Sequence, residues 1–168
     1  MFTLISKVVA FLGILSLVKA YSINPYIEED PFVKIGNGYY YIENSQTVNW
    51  YAAYHSCRKL GGDLVTLETQ EELKALQEYN VTSGFYWTSG SDLAFTGKHV
   101  WFSDAESISS DLWLPNEPNN ADCNERCVLL SVANTLADSG LNDVTCSRNT
   151  SFICEKKINL TNCDRFTL

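Results

Sequence analysis

The chain carries Glu117-Pro118-Asn119 within a long aperiodic stretch, then Glu125, and further on Asn142-Asp143. Carboxylate and amide oxygens grouped in this way are the donors a hard cation prefers. Ca²⁺ takes about six to eight oxygen ligands from carboxylates, amides, backbone carbonyls and water. Magnesium would demand a stricter octahedron with more retained water, and softer metals would demand His or Cys thiolate. A Glu-Pro-Asn tripeptide alone is also an ordinary turn, so its weight comes from the oxygen donors that follow it in order. Glu117 and Glu125 could in principle serve a glycosidase as acid and base. A cation holding both ionised would leave no acid with a raised pKa, and the sequence has no His-Glu-x-x-His, phosphate loop or Ser-His-Asp ordering. The reading is a binding protein with no catalytic residue.

Such donors need a scaffold. The stretch between Phe102 and Cys127 holds Pro115, Pro118 and the asparagines Asn116, Asn119, Asn120 and Asn124. Loops of that length in a compact domain are usually functional or disordered; the cysteines closing over it and Trp113 within it favour order. From Thr47 to Leu60 the apolar residues Trp50, Ala53, Tyr54, Cys57 and Leu60 recur at helical spacing and stop at Gly61-Gly62. Thr69 with Glu72 forms a capping box for a second helix with Leu73, Leu76 and Tyr79 on one face. Tyr39 to Ile42, after the turn residues Gly36-Asn37-Gly38, reads as a strand, as do Phe85-Tyr86-Trp87, His99 to Phe102, Val128-Leu129-Leu130 and Phe152-Ile153-Cys154. The expectation is one α+β domain over 39–157, with two helices, small antiparallel sheets and a long functional loop. An N-terminal arm, 21–38, precedes it, and a tail, 158–168, follows. Trp87 and Trp101 read as core, Trp113 is undecided, and His55 and His99 read as partly exposed structural residues.

Residues 1–20 pair Lys7 with an apolar run from Val8 to Val18 and small residues near Ala20, the pattern of a secretory signal peptide. The run is too short to span a membrane, which takes about 20 apolar residues, so a secreted, extracellular protein is expected. Cleavage would leave ten basic against twenty acidic residues. That balance argues against nucleic acid or an anionic membrane as partner, and it suits a divalent cation; with no spanning segment, membrane insertion is not expected either. Six cysteines in an oxidising compartment read as disulfides. Zinc is the competing account for Cys123 and Cys127, but His55 and His99 are not placed as a finger requires. Composition leaves 15 possible pairings open. Sequons at Asn80, Asn149 and Asn159 fit a glycoprotein.

Taken in order, these features resemble the C-type lectins, in particular their mannose-binding type, over roughly Tyr39 to Glu155. The residues that carry the resemblance are Cys57 and Cys154, Cys127 and Cys146, the Tyr86-Trp87-Thr88-Ser89-Gly90 stretch, Glu117-Pro118-Asn119, Glu125, and Asn142-Asp143 ahead of Cys146. The resemblance implies a long-range disulfide Cys57–Cys154, a loop-closing disulfide Cys127–Cys146, and a cis Glu117–Pro118 peptide. It also implies one Ca²⁺ held by Glu117, Asn119, Glu125, Asn142 and Asp143, with two neighbouring hydroxyls of a pyranose entering the ion's coordination. Those hydroxyls would donate to Glu117 or Glu125 and accept from Asn119 or Asn142, as charge-assisted bonds. The order Glu then Asn is the family's version for mannose, N-acetylglucosamine and fucose; galactose-type members show Gln-Pro-Asp.

The chain departs from the pattern at Leu141, where the family has tryptophan, and over the lengthened segment 131–140. The auxiliary calcium site of some relatives needs acids where this chain has Thr96, Asn120 and Arg126, so that site is expected to be absent. Cys123 and Cys163 lie outside the framework and either pair with each other or link two chains. A single open site binds weakly, so avidity calls for several copies, with homo-oligomerisation as one route and glycans on microbial or cell surfaces as the targets. The rival reading is a calcium-independent protein-recognition module on the same fold.

Overall fold

The computed structural model describes residues 30–79 and 81–157. The segment read as a signal peptide, the sequon asparagines Asn80 and Asn159, and Cys163 lie outside the described residues. Among the described residues no helix is long and apolar enough to cross a membrane.

The chain begins with a hairpin of β1 (Val33–Ile35) and β2 (Gly38–Val48). The sheet therefore starts ahead of Tyr39, the domain boundary read from the sequence, because Phe32 and Ile35 are buried and anchor this first strand. Helix α1 (Trp50–Lys59) starts three residues later than its periodicity suggests. Val48 is still paired with Thr150 in the sheet, and the Asn49 side chain accepts the Ala52 N–H as the cap. The helix buries Trp50, Ala53 and Cys57 and ends at Gly61, whose φ of +83° lies in the left-handed region that suits glycine.

After the short strand β3 (Asp63–Leu64), helix α2 (Gln70–Glu78) opens with Thr69 Oγ1 accepting the Glu72 N–H at 3.2 Å. The reciprocal half of the capping box is replaced. Glu72 accepts instead from the Glu68 N–H at 2.8 Å and from the Tyr40 hydroxyl at 2.5 Å. Leu73 and Leu76 are buried, whereas Tyr79, at the end of the helix, is 48% exposed.

The remaining strands are β4 (Gly84–Ser91), β5 (Val100–Trp101), β6 (Cys127–Val132), β7 (Gly140–Val144) and β8 (Thr150–Glu155). They join one sheet of order β1-β2-β8-β4-β6-β7, with β3 on β8 and β5 on β4. Every pairing is antiparallel except β4 with β8. The small sheets expected from the sequence are thus connected into a single one. Strand β7 was not legible as a strand, because Asn142 and Asp143 interrupt its apolar pattern with residues that favour turns.

Strand β6 is buried on both faces. Val128 and Leu130 pack with Leu73, Trp101, Leu141 and Ile153, while Cys127 and Leu129 pack with Trp50, Trp87 and Phe152. Both implied disulfides are formed: Cys57–Cys154 ties α1 to β8, and Cys127–Cys146 ties the start of β6 to the chain leaving β7. The buried indoles find acceptors, Trp50 Nε1 on the Thr88 carbonyl at 2.9 Å and Trp87 Nε1 on the Val48 carbonyl at 2.8 Å.

Candidate functional site

The long loop between β5 and β6 is ordered through its backbone. It is attached to β7 where the Leu114 N–H donates to the Leu141 carbonyl at 2.9 Å, and it turns where the Glu117 N–H donates to the Leu114 carbonyl at 3.0 Å. Leu141, at the position where the resemblance calls for tryptophan, is fully buried, so β7 keeps its register against β6 with Leu129 opposite Asn142 and Val128 opposite Asp143. The Glu117–Pro118 peptide is cis.

Asp143 is the hub. Its side chain has no exposed surface, and its two oxygens accept the backbone N–H groups of Asn119 and Asn120, each at 2.9 Å. Asn120 in turn accepts the Glu125 N–H at 3.1 Å, and Glu125 Oε2 accepts the Ala121 N–H at 2.8 Å. Asn119 Nδ2 donates to Glu117 Oε1 at 2.9 Å. Four of the five residues singled out in the sequence are therefore knitted into one bonded group through Asn120. Asn142 is half-buried beside Asp143 and shares no side-chain hydrogen bond with them among the described residues. Asn142 and Asp143 stand on strand β7.

The group is strongly acidic. Burial, with Asp143 and Glu125 beside it, holds the Glu117 carboxyl above the usual carboxylate range. Glu117 Oε2 is buried without a hydrogen-bond partner. Among the described residues no three His, Cys, Asp or Glu side chains form a ready metal cluster, since the carboxylates here are turned onto backbone and amide N–H groups. The donors nevertheless suit an oxygen-seeking divalent cation: an orphaned carboxylate oxygen, two further carboxylates at hand, and the amides of Asn119 and Asn142 to complete the set.

Two neighbours of the site were not legible as such. His99 is partly exposed as a residue, as read, but its side chain is only 8% exposed, with Nε2 unpartnered among the described residues and 3.8 Å from Asp143 Oδ2. Its ring meets Trp113 edge-on at 5.1 Å between centroids, which gives that tryptophan a structural place beside the site. Arg126 is paired with Asp92. Cys123 is exposed and pairs with none of the described cysteines, and Asn149 is exposed.

A family model for the lectin C-type domain matches residues 46–156. C-type lectin 37Da of Drosophila melanogaster is 40% identical over 143 residues, covering 79% of this chain and 76% of that protein. The C-type lectin domain of murine dendritic cell inhibitory receptor 2, solved in complex with an N-glycan, superposes with a TM-score of 0.65 at 24% identity over 76% of this chain and 97% of that one. A calcium-independent type II antifreeze protein shares the fold as well, with a TM-score of 0.61 at 24% identity over 75% and 91% of the two chains.

Proposed function

This chain belongs to the C-type lectin family, and from that premise we propose that it is a calcium-dependent carbohydrate-binding protein of the mannose, N-acetylglucosamine and fucose type. The observation that carries the reading is the orphaned, buried Glu117 Oε2 within an acidic group whose members hold one another in place. An isolated carboxylate oxygen out of water is costly unless something neutralises it. Glu117, Asn119, Glu125, Asn142 and Asp143 would hold the ion. When bound, calcium supplies Lewis-acid coordination to two neighbouring hydroxyls of a sugar ring. The protein's own part is hydrogen bonding: Glu117 and Glu125 accept from the hydroxyls, and the amides of Asn119 and Asn142 donate to them. Asp143 works from below by fixing the Asn119-Asn120 turn.

The murine domain solved with an N-glycan and the Drosophila relative support carbohydrate as the ligand class. Mannose over galactose rests on the order Glu117 then Asn119. The protein acts as a secreted glycoprotein on microbial or cell-surface glycans, with avidity from several copies; Cys123 either pairs with Cys163 or links two chains. It catalyses nothing. The same fold in a calcium-independent protein favours a second reading, a protein-recognition module that needs no ion. The two part in one experiment. The mature protein is passed over immobilised mannose in calcium: retention, with release by EDTA, supports the lectin reading. Passage without retention, together with no calcium uptake, supports the other.

A further inference from the structure

Arg126 follows Glu125 directly and is joined to a different loop. Its Nε contacts Asp92 Oδ1, and its Nη2 donates to the Asp92 carbonyl at 2.6 Å. The backbones meet as well: the Asp92 N–H donates to the Arg126 carbonyl at 3.1 Å, while the Arg126 N–H is held by β7 through the Val144 carbonyl at 3.2 Å. The second oxygen of Asp92 accepts the Gly97 N–H at 2.6 Å, which closes the 92–97 turn on itself. The Asp92 side chain is 1% exposed and that of Arg126 is 28% exposed.

The two loops are thus joined through a guanidinium that is always charged and cannot leave. We propose that Arg126 is a positioning residue for the ion and sugar site, an internal cation that locks segment 92–97 to segment 120–126 whether or not calcium is bound. The inference rests on the lectin reading and extends it. Arg126 acts through Glu125, whose N–H is held by Asn120 and whose carboxylate accepts from Ala121, so the clamp on Asp92 fixes the place of one of the oxygen donors. Its charge is spent on the buried Asp92 carboxylate, so the pair adds no net repulsion toward a cation nearby. A single exchangeable ion should therefore bind to a loop that is already formed, with a simple one-site isotherm.

The test uses the mature protein and the variant Asp92→Asn with Arg126→Gln, which removes both charges together and so leaves no unpaired charge buried. Amide hydrogen exchange in EDTA should show segments 92–97 and 120–126 as well protected in the wild type as in calcium. In the variant, exchange there should rise about tenfold or more, and calcium affinity should fall about tenfold, within the range that supporting residues of metal sites show. Arg126→Lys keeps the charge without the two-pronged contact and should fall between the two. It carries the comparison if the double variant does not fold. Fast exchange of these segments in wild-type protein without calcium would overturn the proposal, as would a folded variant with unaltered exchange and affinity. Wild-type protein that takes up no calcium would refute the lectin reading, and the exchange comparison in EDTA would still decide the clamp.

Discussion

The Asn119 N–H donates to Asp143 Oδ1 at 2.9 Å, so the tip of the long loop hangs from a fully buried carboxylate on β7. Asp143 is thus a structural anchor before it is a ligand. Replacing it with Ala strips the acceptors from Asn119 and Asn120. The expected loss is about 3 kcal/mol or more, from two hydrogen bonds to a charged group at about 1.5–3 kcal/mol each, measurable by denaturant unfolding in EDTA. A change within about 0.5 kcal/mol, the usual range for a neutral surface substitution, would deny the anchoring role.

The bond from Asn119 Nδ2 to Glu117 Oε1 has a donor and an acceptor that can be exchanged. In Glu117→Gln with Asn119→Asp, the Gln amide would donate to the Asp carboxylate, keeping the link and reversing its polarity. The fold should be unaffected by thermal unfolding, while sugar preference moves from mannose toward galactose in competition binding. An unchanged preference for mannose with an intact fold would mean that the pair does not select the sugar.

Glu155 gives a pH dependence remote from this site. Burial, with Glu72 and Glu68 nearby, pushes its carboxyl up to about 7 against the pull of the Thr66 N–H. The folded state therefore holds that proton more tightly than the unfolded chain, whose carboxyl has the ordinary value of 4.5. This contribution is fully present below pH 4.5, is lost as pH rises toward 7, and is constant above it. In EDTA, the melting temperature of wild type should fall relative to Glu155→Gln across that window. Parallel curves for the two proteins would contradict the assignment.

Leu141 shows how a departure from the family pattern was absorbed. It is fully buried, and its carbonyl receives the Leu114 N–H from the middle of the loop. Leu141→Ala should cost about 2–5 kcal/mol and should weaken calcium binding in proportion to the loosening of β7, both readable from unfolding curves with and without the ion. An undiminished stability would mean that the strand does not depend on this side chain.

What the sequence disclosed depended on how local the cause was. The two helices were legible because Cys57 and Leu73 recur with apolar partners at helical spacing and because Thr69 caps its own helix, all within a turn or two. Glu117, Asn119 and Glu125 were legible because their oxygens lie on one stretch of chain. Strand β7 was hidden because burial in the folded sheet, against the preceding strand β6, overrides the turn preference of Asn142 and Asp143. His99 and the Arg126–Asp92 pair were hidden for the same reason: a burial of 8% exposure for His99, or an ion pair spanning 34 residues, arises only when loops meet in space.

The most direct test of the account is calorimetric titration of Ca²⁺ into the mature, disulfide-intact protein, followed by mannose and then galactose. The account predicts uptake of one calcium, mannose binding that appears only afterwards and is abolished by EDTA, and weaker or no response to galactose. Mannose binding that persists in EDTA, or no heat from calcium and mannose alike, would contradict it.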